Sequence, residues 1–248
     1  MSDTLVWISG ATEGLGAGLA RTVPYADARV INLSRRRHPD FETVHFDLTR
    51  PGTYESVRAS MARELSGFKG QRAFFIHNAY YPGQIGFVSE VDPLEYAKGI
   101  QANAAAPLIL GDLFLRAVQP GYESGLVLMS SAAARHPFLG NASYCAAKAG
   151  VEMWVRVVKR ELKRRGRDTW VVAVRPGFVD TPTTRLGARQ APADFPVATQ
   201  MQQQFASGQG VMTPDEAGRA IWAALPPKNN ESLLLFGEMV AEHDQAHE

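Results

Sequence analysis

The chain has 248 residues, and its 26 basic and 25 acidic side chains leave a formal charge of +1. That length suffices to bury a sizeable core in a single domain spanning 1–248, and so even a balance excludes an electrostatic footprint for nucleic acid or a membrane surface over the whole molecule. The longest apolar runs fall far short of the roughly 20 residues that cross a bilayer. Cys145 has no second cysteine to pair with, and Met1 leads into Leu5-Val6-Trp7-Ile8 without a signal-like segment, so a cytoplasmic protein is expected.

Short β-branched or apolar runs recur at Leu5–Ile8, Arg29–Leu33, Thr43–Phe46, Ala73–Ile76, Leu126–Met129, Trp170–Val174 and Ser232–Phe236. Helix-length segments separate most of them, the clearest being Asp92–Val118 and Tyr144–Arg165. This alternation predicts a doubly wound, Rossmann-type α/β fold, a parallel sheet of about seven strands with helices on both faces.

The first run leads into Ser9-Gly10-Ala11-Thr12-Glu13-Gly14-Leu15-Gly16, after which helical character begins. Glycine lets backbone approach a pyrophosphate closely, and a helix N-terminus offers unpaired amides and partial positive charge. A plain tight turn is the alternative, although placement directly after the first strand favours a dinucleotide site. The second run ends in Asn32-Leu33-Ser34-Arg35-Arg36-Arg37. A protein selecting NAD presents an acidic side chain to the adenosine 2′-hydroxyl at this place. Here there is none, and Ser34 with Arg35 can bind a 2′-phosphate by hydrogen bond and charged fork, so NADP(H) is expected over NAD(H). Glu13 opposes this, since its carboxylate would repel that phosphate, and three solvated arginines in a surface turn are the plainer alternative.

Tyr144 and Lys148, four residues apart, share one helical face, and Ser131 stands upstream. A phenol titrates near pH ~10, and an apposed cation stabilises its phenolate, so Lys148 is expected to bring Tyr144 towards neutrality as an acid or base. Ser131 would hold a substrate oxygen. A surface Tyr–Lys pair is the alternative. The same helix carries Ala147, Val151, Val155, Val158 and Leu162 as one stripe to cover the sheet. A second stripe of Gly150, Met153, Trp154 and Val157 predicts a subunit contact in a homodimer or homotetramer, unless the helix is buried within one chain.

Thr181–Gly210 contains Pro182, Pro192 and Pro196, several glycines and a Gln-rich piece, without a strand pattern. An insertion at about 181–212 over one sheet edge is expected, either a lid that closes on substrate or a mobile surface loop. Phe236–Glu248 reads as a polar tail. His38, His45, His77, His136, His243 and His247 show no metal-ligand spacing, so no metal site is expected. Cys145 has no local histidine base and reads as a packing residue.

Seven separated motifs agree in order and spacing with the classical short-chain dehydrogenase/reductase family, which the chain resembles over essentially its whole length. They are Ser9 to Gly16, Asp47-Leu48, Asn78-Ala79, Asn103, Ser131, Tyr144-x-x-x-Lys148 and Arg175-Pro176-Gly177. Within the family, Ser34-Arg35, Asn141-Ala142-Ser143-Tyr144-Cys145 and Gly177-Phe178-Val179-Asp180-Thr181 look most like sepiapterin reductases and bacterial benzil or diketone reductases.

The resemblance implies that Tyr144 exchanges a proton with a carbonyl or alcohol oxygen and that Lys148 lowers the tyrosine pKa and binds the nicotinamide ribose. Ser131 would orient the carbonyl, and Asn103 would anchor a water in a proton relay. It also implies a cofactor cradle of Gly10, Thr12, Glu13, Gly14, Leu15 and Gly16, with Asp47 and Leu48 by the adenine and Asn78 and Ala79 along the fourth strand. Pro176, Gly177, Val179 and Thr181 would line the nicotinamide side. Of two adjacent serines, Ser130 and Ser131, the spacing to Tyr144 selects Ser131.

Ser9 departs from the family's usual threonine but keeps a hydroxyl. His77-Asn78-Ala79-Tyr80 departs from the commoner Asn-Asn-Ala-Gly, and a tyrosine adopts positive φ only at a cost. Tyr80, Tyr81, Phe138 and Phe178 could build an aromatic substrate wall, or belong to the ordinary core. Two functions remain: an NADPH-dependent carbonyl reductase acting on a ketone or 1,2-diketone, or a non-catalytic NADP-binding sensor or scaffold. A small-molecule carbonyl or alcohol is the expected partner.

Overall fold

The computed structural model describes residues 2–228 and 231–237. Its strands are β1 (Thr4–Ser9), β2 (Ala28–Ser34), β3 (Glu42–His45), β4 (Arg72–His77), β5 (Glu123–Met129), β6 (Trp170–Arg175), β7 (Phe178–Val179), β8 (Val211–Met212) and β9 (Leu233–Leu235). Seven of them form one sheet in the order β3-β2-β1-β4-β5-β6-β9, with every neighbouring pair parallel. Its helices are α1 (Gly14–Arg21), α2 (Tyr54–Leu65), α3 (Pro93–Ile100), α4 (Ala106–Ala117), α5 (Ala142–Arg164), α6 (Pro182–Ala188), α7 (Val197–Ser207) and α8 (Pro214–Ala223).

Parallel strands need crossover helices, and those helices cover both faces, so the central strands are apolar throughout rather than alternating. In β1 all six residues are buried. Leu5 and Trp7 join the core under α2, α4 and α5, while Val6 and Ile8 join the opposite core under α1 and α8. All seven expected strands are present in this doubly wound sheet.

Three differences bear on the site. The expected helix across 92–118 is interrupted by a π turn at Gln101–Ala105, which contains Asn103. The short parallel pair β7–β8 stands outside the main sheet, and two-residue strands carry too little pattern to be read from sequence. The stretch expected as a patternless insertion folds as α6 and α7. Thr181 and Thr184 form a reciprocal cap at the start of α6 with Pro182 as its first residue. Phe178, Phe195, Ala198 and Met201 build a third core beneath these helices. Residues 238–248 of the expected polar tail, His243 and His247 among them, lie outside the described residues.

Candidate active site

In a parallel sheet the strands' C-terminal ends share one edge, and ligands bind where the chain order reverses on it. Here that edge opens into a cavity of about 470 Å³. Its two ends differ in chemistry.

One end is built on the turn after β1. Gly10 has φ +74° and donates its N–H to the Leu33 carbonyl at 2.9 Å. A Cβ on Gly16 would lie 2.1 Å from the Gly10 carbonyl oxygen, so only glycine lets α1 begin this close to the turn. The α1 N-terminus and a backbone bare of side chains therefore face the cavity, and this cradle fits a pyrophosphate. Buried Asn32 fixes it. Its Oδ1 accepts from Ala11 N at 3.1 Å, and its Nδ2 donates to the Arg36 carbonyl at 3.2 Å and to Thr43 Oγ1 at 3.1 Å. One side chain thus ties the glycine turn to the arginine loop and to β3. An asparagine inside a strand is unusual enough to have signalled this role.

Ser34 Oγ accepts from Arg36 N at 3.2 Å. Glu13 does not face the cavity as an unpaired negative charge. Arg36 Nη2 stands 2.8 Å from Glu13 Oε1 and 3.1 Å from Thr12 Oγ1, and so bridges the two loops. Arg35 is left to the cavity, which it lines with Ser34, Asp47 and Leu48. Burial pushes the Asp47 carboxyl up, but hydrogen bonds from Thr49 and the charges of Arg35 and Arg50 outweigh it and hold the group below its ordinary value.

The floor is organised by Ser9, whose Oγ accepts from Asn78 N and Ala79 N, both at 2.9 Å. Both lone pairs being used, its proton goes to His77 Nδ1 at 3.1 Å, so His77 is the neutral Nε2–H tautomer. Burial, helped by the charge of Lys148, depresses its pKa to about 3.

At the other end Ser131 follows β5 and caps a short 3₁₀ turn, its Oγ accepting from Ala133 N at 3.2 Å. Tyr144 and Lys148 face it from the first two turns of α5. Lys148 Nζ donates to the Met129 carbonyl at 2.8 Å and lies 5.4 Å from the Tyr144 ring centroid. The expectation that Tyr144 is brought towards neutrality is not met. Burial raises the Tyr144 phenol, and the neighbouring Ser131 hydroxyl is the group that pulls it back. Burial also brings the Lys148 ammonium down to about 8. At neutral pH Tyr144 therefore holds its proton, ready to give it.

Asn103 pairs its amide with the Tyr81 backbone: its Oδ1 accepts from Tyr81 N at 3.0 Å and its Nδ2 donates to the Tyr81 carbonyl at 2.8 Å. It clamps the loop after β4. Ser130 spends its hydroxyl on Glu152 Oε1 at 2.6 Å, which leaves Ser131 as the serine facing Tyr144.

Tyr80 meets Tyr144 edge to face, with ring centroids 5.0 Å apart, and Asn141 faces its hydroxyl. Phe138 and Phe178 line the cavity beside Phe195 and Met201, while Tyr81 turns its hydroxyl to Glu95 Oε2 at 2.6 Å. Pro176, Gly177, Val179 and Thr181 complete the wall. The lining's charged side chains sit at the cradle (Glu13, Arg35, Arg36 and Asp47) or on the floor (Lys148 and Arg175), so the aromatic wall itself carries no charge. Phe195 and Met201 escaped the sequence reading because α7 had no recognisable pattern.

The model of the family described as short chain dehydrogenase matches residues 4–191. The chain is 24% identical over 202 residues to a benzil reductase ((S)-benzoin forming) of Bacillus cereus, covering 77% of this chain and 81% of that protein. It is 29% identical over 206 residues to a sepiapterin reductase of Xenopus tropicalis, covering 73% and 76%. Its fold matches that of a short chain dehydrogenase from Burkholderia cenocepacia crystallised in complex with NADP, with a TM-score of 0.71 at 23% identity over 96% of this chain and 91% of that one.

Proposed function

This chain belongs to the short-chain dehydrogenase family of oxidoreductases, and on that premise we propose that it is an NADPH-dependent carbonyl reductase of a ketone or 1,2-diketone. The reverse alcohol oxidation uses the same groups. One observation carries the reading: a half-buried Tyr144, its phenol held above its ordinary pKa, stands beside Ser131 and Lys148 at the aromatic end of a cavity whose other end is a glycine cradle edged with arginine.

Ser131 and Tyr144 hold the substrate oxygen, and Tyr144 releases its proton to that oxygen as negative charge develops there. Lys148, held on the Met129 carbonyl, stabilises the phenolate that is left. Gly10, Thr12, Gly14, Leu15, Gly16, Asn78, Ala79, Pro176, Gly177, Val179 and Thr181 would hold the dinucleotide, with Ser34 and Arg35 on its 2′-phosphate and Asp47 and Leu48 by the adenine. When bound, the nicotinamide supplies the hydride. The apolar wall of Tyr80, Phe138 and Phe178 favours an uncharged substrate with aromatic or bulky apolar groups.

A non-catalytic sensor would need the cradle but not Ser131, Tyr144 and Lys148 together. NADPH consumption with a panel of ketones and 1,2-diketones separates the two readings. Turnover is expected, and Tyr144→Phe should lower kcat by about 10²–10⁴-fold while NADPH affinity stays nearly unchanged. Tight NADPH binding without turnover of any carbonyl would return the sensor. We also infer a cytoplasmic setting and a homodimer or homotetramer formed through α5, where Met153 and Val157 are exposed.

A further inference from the structure

Glu152 is a carboxylate only 9% exposed, one helical turn beyond Lys148 on the same face of α5. Arg175, at the end of β6 and 5% exposed, donates Nε to Glu152 Oε1 at 2.7 Å and Nη2 to Oε2 at 2.9 Å. The Ser130 hydroxyl donates to the same Oε1 at 2.6 Å, and the Ser130 backbone N–H donates to the Val174 carbonyl at 2.7 Å.

Three consecutive residues at the end of β5 thus meet three positions of α5 spaced four apart. Ser131 faces Tyr144, the Met129 carbonyl holds Lys148, and Ser130 holds Glu152. The apolar stripe of α5 fixes the helix on the sheet, and these three rungs tie its polar side chains to the end of β5. The third rung is the one whose far partner is clamped in turn, through Arg175, to the neighbouring strand.

We propose that Glu152 is a positioning residue: locked by Arg175, it holds Ser130 and thereby sets the Ser131 hydroxyl against the Tyr144 phenol. The inference rests on the reductase reading for its kinetic consequence, but the geometry it concerns has a readout of its own. Ser131 is the group that opposes the burial-driven rise of the Tyr144 pKa. A Ser131 that drifts away lets that pKa climb.

Ser130→Ala removes the rung while leaving the Glu152–Arg175 pair intact, so the variant is expected to fold. A misplacement of this kind should lower kcat about tenfold with NADPH affinity near that of the unmodified protein, while Tm falls modestly for the lost hydrogen bond to a buried carboxylate. Ser130→Thr, which returns the hydroxyl, should recover most of the loss. An ultraviolet titration of the tyrosines, with Tyr144→Phe identifying the Tyr144 step, should show that step displaced upward in Ser130→Ala and restored in Ser130→Thr. The titration reads the geometry whether or not the protein turns over, so absence of carbonyl reduction by the unmodified chain sinks the functional reading alone. An unmoved Tyr144 step in Ser130→Ala overturns the inference. So does a fall in kcat matched by an equal-fold loss of NADPH affinity, since that marks a merely structural contact.

Discussion

Arg36 and Arg35 are adjacent but do different things. Arg36 is committed to Glu13 and Thr12, so the carboxylate that opposed NADP in the sequence is neutralised within the protein. Arg35 lines the cavity and is the guanidinium proposed for the 2′-phosphate. A hydrogen bond to a charged group contributes about 1.5–3 kcal/mol, so Arg35→Ala should raise the KM for NADPH by at least tenfold and leave that for NADH nearly unchanged. Steady-state kinetics with the two cofactors checks this, and parallel losses for both would count against the assignment. The residue types were legible in the sequence, whereas which arginine meets Glu13 was not. Neighbouring side chains on one loop are sorted only by the fold of a second loop, here the turn held by Asn32.

Among elements, the β-strands and α5 were readable because buried parallel strands and an apolar helical stripe leave strong periodic signals. The elements that shape the substrate end were not. α6 and α7 are short, begin at or beside prolines and bury few apolar residues, so their packing appears only once Phe178 and Phe138 supply a surface to sit on. Likewise Asn103 was visible as an odd residue in a helix, but the π turn that aims it at Tyr81 needed coordinates.

One glycine joins two of these loops. Gly140 has φ +78°, its carbonyl accepts from Gly86 N at 2.9 Å, and a Cβ there would lie 1.9 Å from the Asp194 carbonyl oxygen. Gly140→Ala should therefore push the segment leading into α7 away from Phe138. The KM for the carbonyl substrate is expected to rise several-fold with that for NADPH unchanged, because the cradle lies at the cavity's other end. Equal effects on both constants would show that the two ends are not independent.

Over the whole molecule, the doubly wound architecture was legible because each βα unit repeats the same signal. The outer face of α5 was only half legible. Of the second α5 stripe, Trp154 packs within the chain, where a Cβ on Gly111 would lie 2.8 Å from its ring, while Met153 and Val157 are 54% and 45% exposed. Two exposed apolar side chains one helical turn apart fit the subunit contact proposed above. Light scattering at micromolar concentration should give at least a dimer, and Val157→Glu should shift it towards monomer. A monomeric unmodified protein would remove the subunit contact.

The floor on which Ser9 sits has a consequence for rate as a function of acidity. The Ser9 hydroxyl bonds His77, whose imidazole burial and the charge of Lys148 keep neutral, with a pKa of about 3, while burial keeps the Tyr144 phenol above its ordinary range. Among the described residues beside Tyr144, Lys148, near 8, is the group that changes charge between roughly pH 5 and 9. Its ammonium is the form proposed to steady the phenolate left on Tyr144. Reduction should therefore trace a single descending limb, level in mild acid and falling as pH rises through about 8, in place of a bell. A second limb on the acid side would mean that His77 takes part after all.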